Sequence, residues 1–456
     1  MKLRYYALLI ILISGTFIGF TIQDGHKWGG DFSLYIHQAK HIAEGTSLDE
    51  LYAWNKTSMQ ASLRQLGPYL YPNGFPVLLS PVYGAFGMNF IAMKVFCSLL
   101  FLLSIPLMLN LFKDRFNTYT LPIILVALIA CNSHLIAFSD NILSDFPFFF
   151  FCLLAFNLME AKRNITNQVL LGLCLFYAYF IRDAGLFLLP ALAVYQLFYS
   201  KKNTANRYLA GIPYLVFGAL FVVSKFVFPD GGENHMGMLF SKFSTGYLLD
   251  SVKLYLTLLS KTFFLDKGTY ALGALIVALS ILGLVKTKKR DAHFFIFILL
   301  NLLVLMVWPA RQGERFLFPM LPFLLFFSIQ GLVYIFEKVK LKQTYLQYSL
   351  IAFLLFTAFY SYQKVPSERD ASNQAYTKEM VVIYDYIAQL EATDAVVGFH
   401  KPRVLWLFSG VRSVYTDLDH FDSAIANFLL LKKHDNMDLS DHRIEQDFQD
   451  YVLIGK

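Results

Sequence analysis

The residues best suited to chemistry stand in short polar segments between long apolar blocks. The first such segment is Trp28-Gly29-Gly30-Asp31-Phe32-Ser33-Leu34-Tyr35. An aspartate after two glycines, opening a stretch with helical spacing, has two readings. Its carboxylate can cap the free N–H groups of that helix. It can also stand at a membrane surface, where lowered polarity raises its pKa and makes it a useful base. A second acidic segment is Ser139-Asp140-Asn141-Ile142-Leu143-Ser144-Asp145. A carboxylate beside hydrocarbon is costly, so its retention points to a purpose: holding a divalent cation, orienting a bound molecule or capping a helix. Asp145 precedes Phe146-Pro147 and reads naturally as a cap, which leaves Asp140 the freer of the two. His37 and His41 stand four apart, with Glu44 close by, an arrangement that can bind zinc. They do not make an HExxH pattern, and a solvated polar face is the preferred reading. Arg182, Arg311 and Arg315 sit at the edges of apolar blocks, where an arginine either bonds headgroups or serves a site.

Two other motifs are discounted. Asp417-Leu418-Asp419 has the DxD form that holds a metal–nucleotide in some enzymes, but it lies in the polar tail. Gly231-Gly232 lacks the strand, helix and following lysine of a phosphate loop.

The elements that must position these residues are membrane helices. Apolar residues make up 56% of the 456, in blocks rather than in an amphipathic rhythm, which excludes an ordinary soluble domain. Blocks at roughly 3–22, 90–112, 119–138, 146–159, 169–181, 185–199, 208–228, 270–285, 293–308, 316–336 and 345–362 predict about eleven spans. The first is read as an uncleaved helix, since no small-residue cleavage site follows it. The stretch Phe75–Phe86, broken by prolines, reads as a partly inserted approach to the second span. Within 23–73, the spacing of Leu34, Ile36, Ala39, Ile42 and Ala43 predicts a surface helix, and 48–66 a second. Cys97, Cys131, Cys152 and Cys174 all lie in apolar blocks and suggest neither disulfides nor a metal pair.

Basic residues recur in alternate connectors: Lys113/Arg115, Lys162/Arg163, Lys201/Lys202/Arg207, Lys286/Lys288/Lys289/Arg290 and Lys338/Lys340/Lys342. With eleven spans they share one side with Lys2 and Arg4, which is the cytoplasmic side. The segment 23–73, the turns 132–145, 182–183 and 309–315, the loop Pro229–Lys267 and the tail are then outside. The net charge of +7 belongs to these connectors and is no nucleic-acid signal. The tail, 363–456, is polar with apolar clusters at Met380–Ile387, Ala395–Gly398 and Val404–Leu407, read as helix, strand and helix of a small α/β unit. The domains expected are therefore 1–362 in the membrane and 363–456 outside it.

Taken in order, these motifs resemble a family. Asp31, Phe32 and Tyr35, then Ala39, Ala43 and Gly45, form one part; Tyr71-Pro72-x-Gly74-Phe75-Pro76 forms another. With Asp140 to Asp145 and Arg315-Phe316-x-x-Pro319-x-x-Pro322, they look like the GT-C superfamily of membrane glycosyltransferases, of the protein O-mannosyltransferase and aminoarabinose-transferase type. The resemblance implies a GT-C-type helical bundle with surface helices in its first outer loop. It implies transfer of a sugar from a polyprenyl-phosphate donor to a lipid A, glycan or protein acceptor at the outer membrane face; a single base fits inversion by one displacement, and the pattern of basic connectors suits a bacterial inner membrane. In that scheme Asp31 is the base, with Asp140 or Asp145 a second functional acid. Arg315, backed by Arg311 and Arg182, meets the departing phosphate, and Tyr35 and Tyr71 line the substrate site. Tyr69, Tyr71 and Trp308 suit a groove for the polyprenyl chain. A divalent metal ion is the one cofactor the resemblance admits, with His37 and His41 the candidates. The rivals are a transporter or flippase of lipid-linked sugars, which would carry charges near the bilayer midplane, and a polysaccharide polymerase or ligase, which would place its large loop later.

Overall fold

The computed structural model describes residues 2–64, 66–199, 208–228, 244–264, 268–309, 311, 313–371, 373–390, 394–433 and 439–456. Gly231, Gly232 and the basic residues Lys201, Lys202 and Arg207 lie outside them.

A helix rises about 1.5 Å per residue, so about 20 apolar residues cross a bilayer core. Among the described residues five helices meet that requirement, at Leu3–Thr21, Phe90–Phe112, Tyr208–Val227, Tyr270–Thr287 and Glu314–Lys338. Five shorter apolar helices join them, and all eleven apolar blocks of the sequence are helical. In chain order the first helices are α1 (Lys2–Thr21), α2 (Gly30–Glu44), α3 (Leu48–Ala61), α4 (Gly74–Phe86), α5 (Phe90–Phe112), α6 (Thr120–Ala130), α7 (Ser133–Phe138), α8 (Asp145–Glu160) and α9 (Ile165–Ile181). There follow α10 (Leu188–Tyr199), α11 (Ile212–Val227), α12 (Thr245–Phe264), α13 (Tyr270–Thr287), α14 (Ala292–Val307), α15 (Leu321–Lys338) and α16 (Gln343–Ala371). The 314–338 segment is the most buried of the five, whereas α1 and α11 leave most of their apolar side chains on the bundle's outer surface. The molecule is an integral membrane protein.

Two readings change. The stretch Phe75–Phe86 is one continuous helix, α4, packed on α2 despite Pro81. At its start Gly74 is required: a Cβ there would come within 2.4–2.5 Å of the Phe180–Ile181 backbone. The expected loop Pro229–Lys267 contains a helix, α12, with Ser251, Tyr255, Leu259 and Phe263 buried on one face. Tyr247 near its start donates to the Trp308 carbonyl, and Asn132 donates to the Thr262 carbonyl near its end, at 2.6 Å.

The tail forms α17 (Lys378–Ala388), β1 (Val396–Gly398), α18 (Pro402–Ser409), β2 (Arg412–Val414), β3 (Phe428–Lys432), β4 (Arg443–Asp447) and β5 (Tyr451–Gly455). The helix–strand–helix order expected from its apolar clusters is borne out. The sheet order is β2-β1-β3-β5-β4, parallel on the β1 side and antiparallel from β3 onward. This unit rests on the end of the bundle formed by α2 and α3. Ser58 donates to the Ser413 carbonyl at 2.8 Å, Ala375 N–H to the His26 carbonyl at 2.9 Å, and Trp406 packs against His37 and Trp54.

Candidate active site

Six of the residues picked out in the sequence converge where α2, α4, α8 and α9 meet the Glu314–Met320 turn ahead of α15. Asp31 stands in the first turn of α2, behind Gly29 at the cap position, and makes no capping bond. The cap reading of Asp31 is thus corrected. One of its oxygens accepts from the Tyr71 hydroxyl at 2.7 Å, and the other from Arg315 Nη2 at 2.7 Å. Arg315 Nη1 lies 3.9 Å from Asp145, whose other oxygen is 2.7 Å from Arg182 Nη2. Arg182 Nε donates to Ser144 Oγ at 2.9 Å, and that hydroxyl lies 3.0 Å from the Tyr35 hydroxyl. The ring of Tyr35 stacks on that of Tyr71, with centroids 4.5 Å apart. Two carboxylates and two guanidiniums therefore alternate along one line.

The segments that carry these side chains are fixed by less obvious groups. Gln38, fully buried, grips Tyr71 through both backbone groups: its Nε2 donates to the Tyr71 carbonyl at 2.9 Å and its Oε1 accepts the Tyr71 N–H at 3.0 Å. Arg403 on α18 donates to the carbonyls of Gly67 and Pro68, just ahead of Tyr71. The tail thereby holds the loop that holds Asp31. His26 is buried and stacked on Phe32, its Nε2 accepting from the Ile142 N–H at 3.2 Å while Nδ1 donates to the Lys27 carbonyl at 2.9 Å. Burial pulls its pKa down to about 3, so it stays neutral and joins the first loop to the 139–145 turn.

Exposure separates the two acids. The Asp31 side chain is 34% exposed and open to a ligand, whereas that of Asp145 is 1% exposed. Burial pushes the Asp31 carboxyl up, but the Arg315 charge and the hydrogen bonds from Tyr71 and Arg315 outweigh it, leaving the pKa below the ordinary 3.8. The expectation of a raised value is corrected, because a cation and a donor were already in place. Burial and the nearby Asp31 charge hold the Tyr71 hydroxyl well above its usual range, and burial pushes Tyr35 up to about 12, so both remain protonated donors.

Other expectations fall elsewhere. Asp140 is not the freer acid: it pairs with buried Lys94 at 2.6 Å and accepts the Gln23 N–H at 2.9 Å, while Lys94 also donates to the Gln23 carbonyl at 2.8 Å. Asp145 starts α8 without capping it, and joins the cluster instead. Arg311 is exposed, paired with Asp250 at 3.2 Å and stacked over Tyr247, apart from the other arginines. His37 is buried against Trp406 and not on a solvated face; burial, then the charges of His41 and Lys40, lower it to about 3. His41 bonds Thr46 at 2.9 Å, and its ring is 5.7 Å from that of His37. Among the described residues no three His, Cys, Asp or Glu side chains gather to hold a metal. Asp417 caps the Leu418–His420 turn and pairs with His420 at 2.7 Å. Lys94 and Ser144 were missed. A lone lysine five residues into an apolar helix was the signal for the first, since such a charge needs a partner.

No protein-family model matches the chain, and no curated protein does. Solved structures do. A crystal structure of ArnT from Cupriavidus metallidurans bound to undecaprenyl phosphate superposes with a TM-score of 0.61 at 11% identity, over 99% of this chain and 97% of that one. The apo crystal structure of the same protein gives 0.58 at 12% identity, over 100% and 98%. The chain therefore has the fold of these structures along its whole length, and the expected helical membrane bundle with a small α/β tail is borne out.

Proposed function

We propose, with that shared fold as premise, that the chain transfers a sugar from a polyprenyl-phosphate donor to an acceptor hydroxyl at the outer membrane face. The observation that carries the reading is the Asp31–Arg315–Asp145–Arg182 line, in which Asp31 is the accessible carboxylate and Asp145 the buried one. That one of the matching structures holds undecaprenyl phosphate supports the donor class.

In this reading Arg315 and Arg182 receive the donor phosphate, for which a planar guanidinium is suited because it can bond two oxygens at once. Asp145, buried between them, keeps both forks in place. As Arg315 turns to the phosphate, Asp31 loses the cation that holds its pKa down and becomes a stronger base. The acceptor oxygen attacks the anomeric carbon, the carbon–oxygen bond to phosphate breaks with its electron pair going to the lipid phosphate, and the acceptor proton passes to Asp31. A single displacement inverts the anomeric centre. Tyr71 holds Asp31 in position from the side away from Arg315.

Membranes containing the chain, supplied with a labelled polyprenyl-phosphate sugar, should transfer label to an acceptor. Asp31→Asn should reduce that transfer by about 10²–10⁴-fold, the usual contribution of a general base. Full transfer by Asp31→Asn would remove Asp31 from the base role. Movement of the labelled lipid between leaflets without transfer would support a transporter instead.

A further inference from the structure

The end of the bundle opposite the site carries a feature that the transfer reading does not use. A cavity of about 200 Å³ lies between the α5–α6 connector, the α13–α14 connector, α15 and the start of α16. Its lining is rich in hydrogen-bond donors: Lys286, Arg290, Arg115, Gln343 and Asn117. The lining carboxylate, Asp291, is taken by Arg115 at 2.8 Å. Gln343 Nε2 is buried and has no acceptor, which costs free energy unless something supplies an oxygen. Arg115 is anchored on its far side by Glu160, so its position does not depend on the cavity being filled. Lys286 reaches Glu337 at 2.7 Å, a pair at the rim with the Glu337 side chain 52% exposed.

Donors gathered around a space of this size fit an anion with several oxygens. The surroundings select which one. Leu282 and Val285, within about one turn of Lys286 on α13, and Tyr119, two residues from Asn117, are exposed apolar or aromatic side chains. A free anion would make no use of them, whereas a lipid's acyl chains would cover them. The cavity also lies where the ends of spanning helices meet their basic connectors, at headgroup depth, and basic pockets between membrane helices hold acidic headgroups.

We propose that this cavity binds the phosphodiester headgroup of an acidic phospholipid, with Lys286, Arg290 and Gln343 contacting the phosphate and the acyl chains lying along α13. The inference is independent of the transfer reading, because none of these residues belongs to the Asp31 site.

The full chain, purified and reconstituted in nanodiscs of phosphatidylcholine with or without phosphatidylglycerol, provides the test. Native mass spectrometry should show a retained phosphatidylglycerol adduct, reduced roughly 30-fold in Lys286→Ala/Arg290→Ala, the effect of removing two cations that each attract an acidic lipid. Lys338→Ala/Lys340→Ala, which removes two exposed charges at the same end outside the cavity, should retain the adduct. If the first double variant does not fold, Gln343→Glu gives the same reading by placing a carboxylate against the phosphate. An equal adduct in wild type, the double variant and Gln343→Glu would overturn the proposal. So would displacement of the lipid by millimolar inorganic phosphate, which would mark the cavity as a free-anion site.

Discussion

Asp31 divides its two oxygens between a neutral donor, Tyr71, and a cation, Arg315. Both bonds favour the charged carboxylate, so this group's contribution to stability is present above the ordinary 3.8 and is lost as pH falls through the lower folded value. The same sign governs activity. The acid limb of kcat/KM for the free protein should lie below the ordinary aspartate range, and Tyr71→Phe should move it upward by removing one of the bonds. A pH–rate profile of the two proteins checks this; a limb that does not move would mean that Asp31 is not the group being titrated. At this scale much was legible. Arg182 and Arg315 stand at the edges of apolar blocks, and Asp31 opens a helical stretch after two glycines, whereas Tyr35 and Tyr71 are marked by the family resemblance alone. Their partners are not. Arg315 is 284 positions from Asp31, and local spacing says nothing about a contact of that range. The same limit misdirected the choice between Asp140 and Asp145, since the lysine that occupies Asp140 lies on a different helix.

Among the elements, α5 and the 139–145 turn are joined by the Lys94–Asp140 pair, with the lysine fully buried. Breaking such a pair from one side leaves a buried charge without its partner, which costs about 3–5 kcal/mol. Lys94→Met should lower unfolding stability in detergent by about that amount. A loss under 1 kcal/mol would show that Asp140 has another cation or that water reaches it. The elements themselves were legible in proportion to how apolar they are. The blocks that form helices carry few charges, whereas α12 holds Asp250, Lys253 and Lys261, which give its sequence the look of a loop. Its four-residue spacing of buried positions was nonetheless present in the sequence, masked by those charges. The strands β2 to β5 are not legible, because a short tail strand has too few residues to display its period against neighbouring turns.

At the scale of the whole molecule, polar groups segregate by end. One end carries Asp31 and its partners under the tail sheet; the other carries Arg115, Lys286 and the remaining basic connectors. The basic connectors lead us to propose the latter as the cytoplasmic end. Cys97, Cys131, Cys152 and Cys174 are buried, so new cysteines can be read against a low background. A cysteine in place of exposed Asp419 should react with a membrane-impermeant maleimide from outside, and one in place of Lys338 only after permeabilisation. The opposite pattern would put the site in the cytosol, where the proposed reaction has no place. The alternation of basic connectors predicts which end is which, and this labelling tests it. The tail's task of pinning the Tyr71 loop through Arg403 could not be foreseen, because that contact joins residues about 335 positions apart.

The central claim is that a lipid phosphate displaces Asp31 as the partner of Arg315. A cryo-electron microscopy structure of the chain with polyprenyl monophosphate bound tests it most directly. The phosphate should lie within hydrogen-bond reach of Arg315 and Arg182, with Asp31 released from Arg315 and still held by Tyr71. Phosphate density elsewhere, with the Asp31–Arg315 pair intact, would contradict the account.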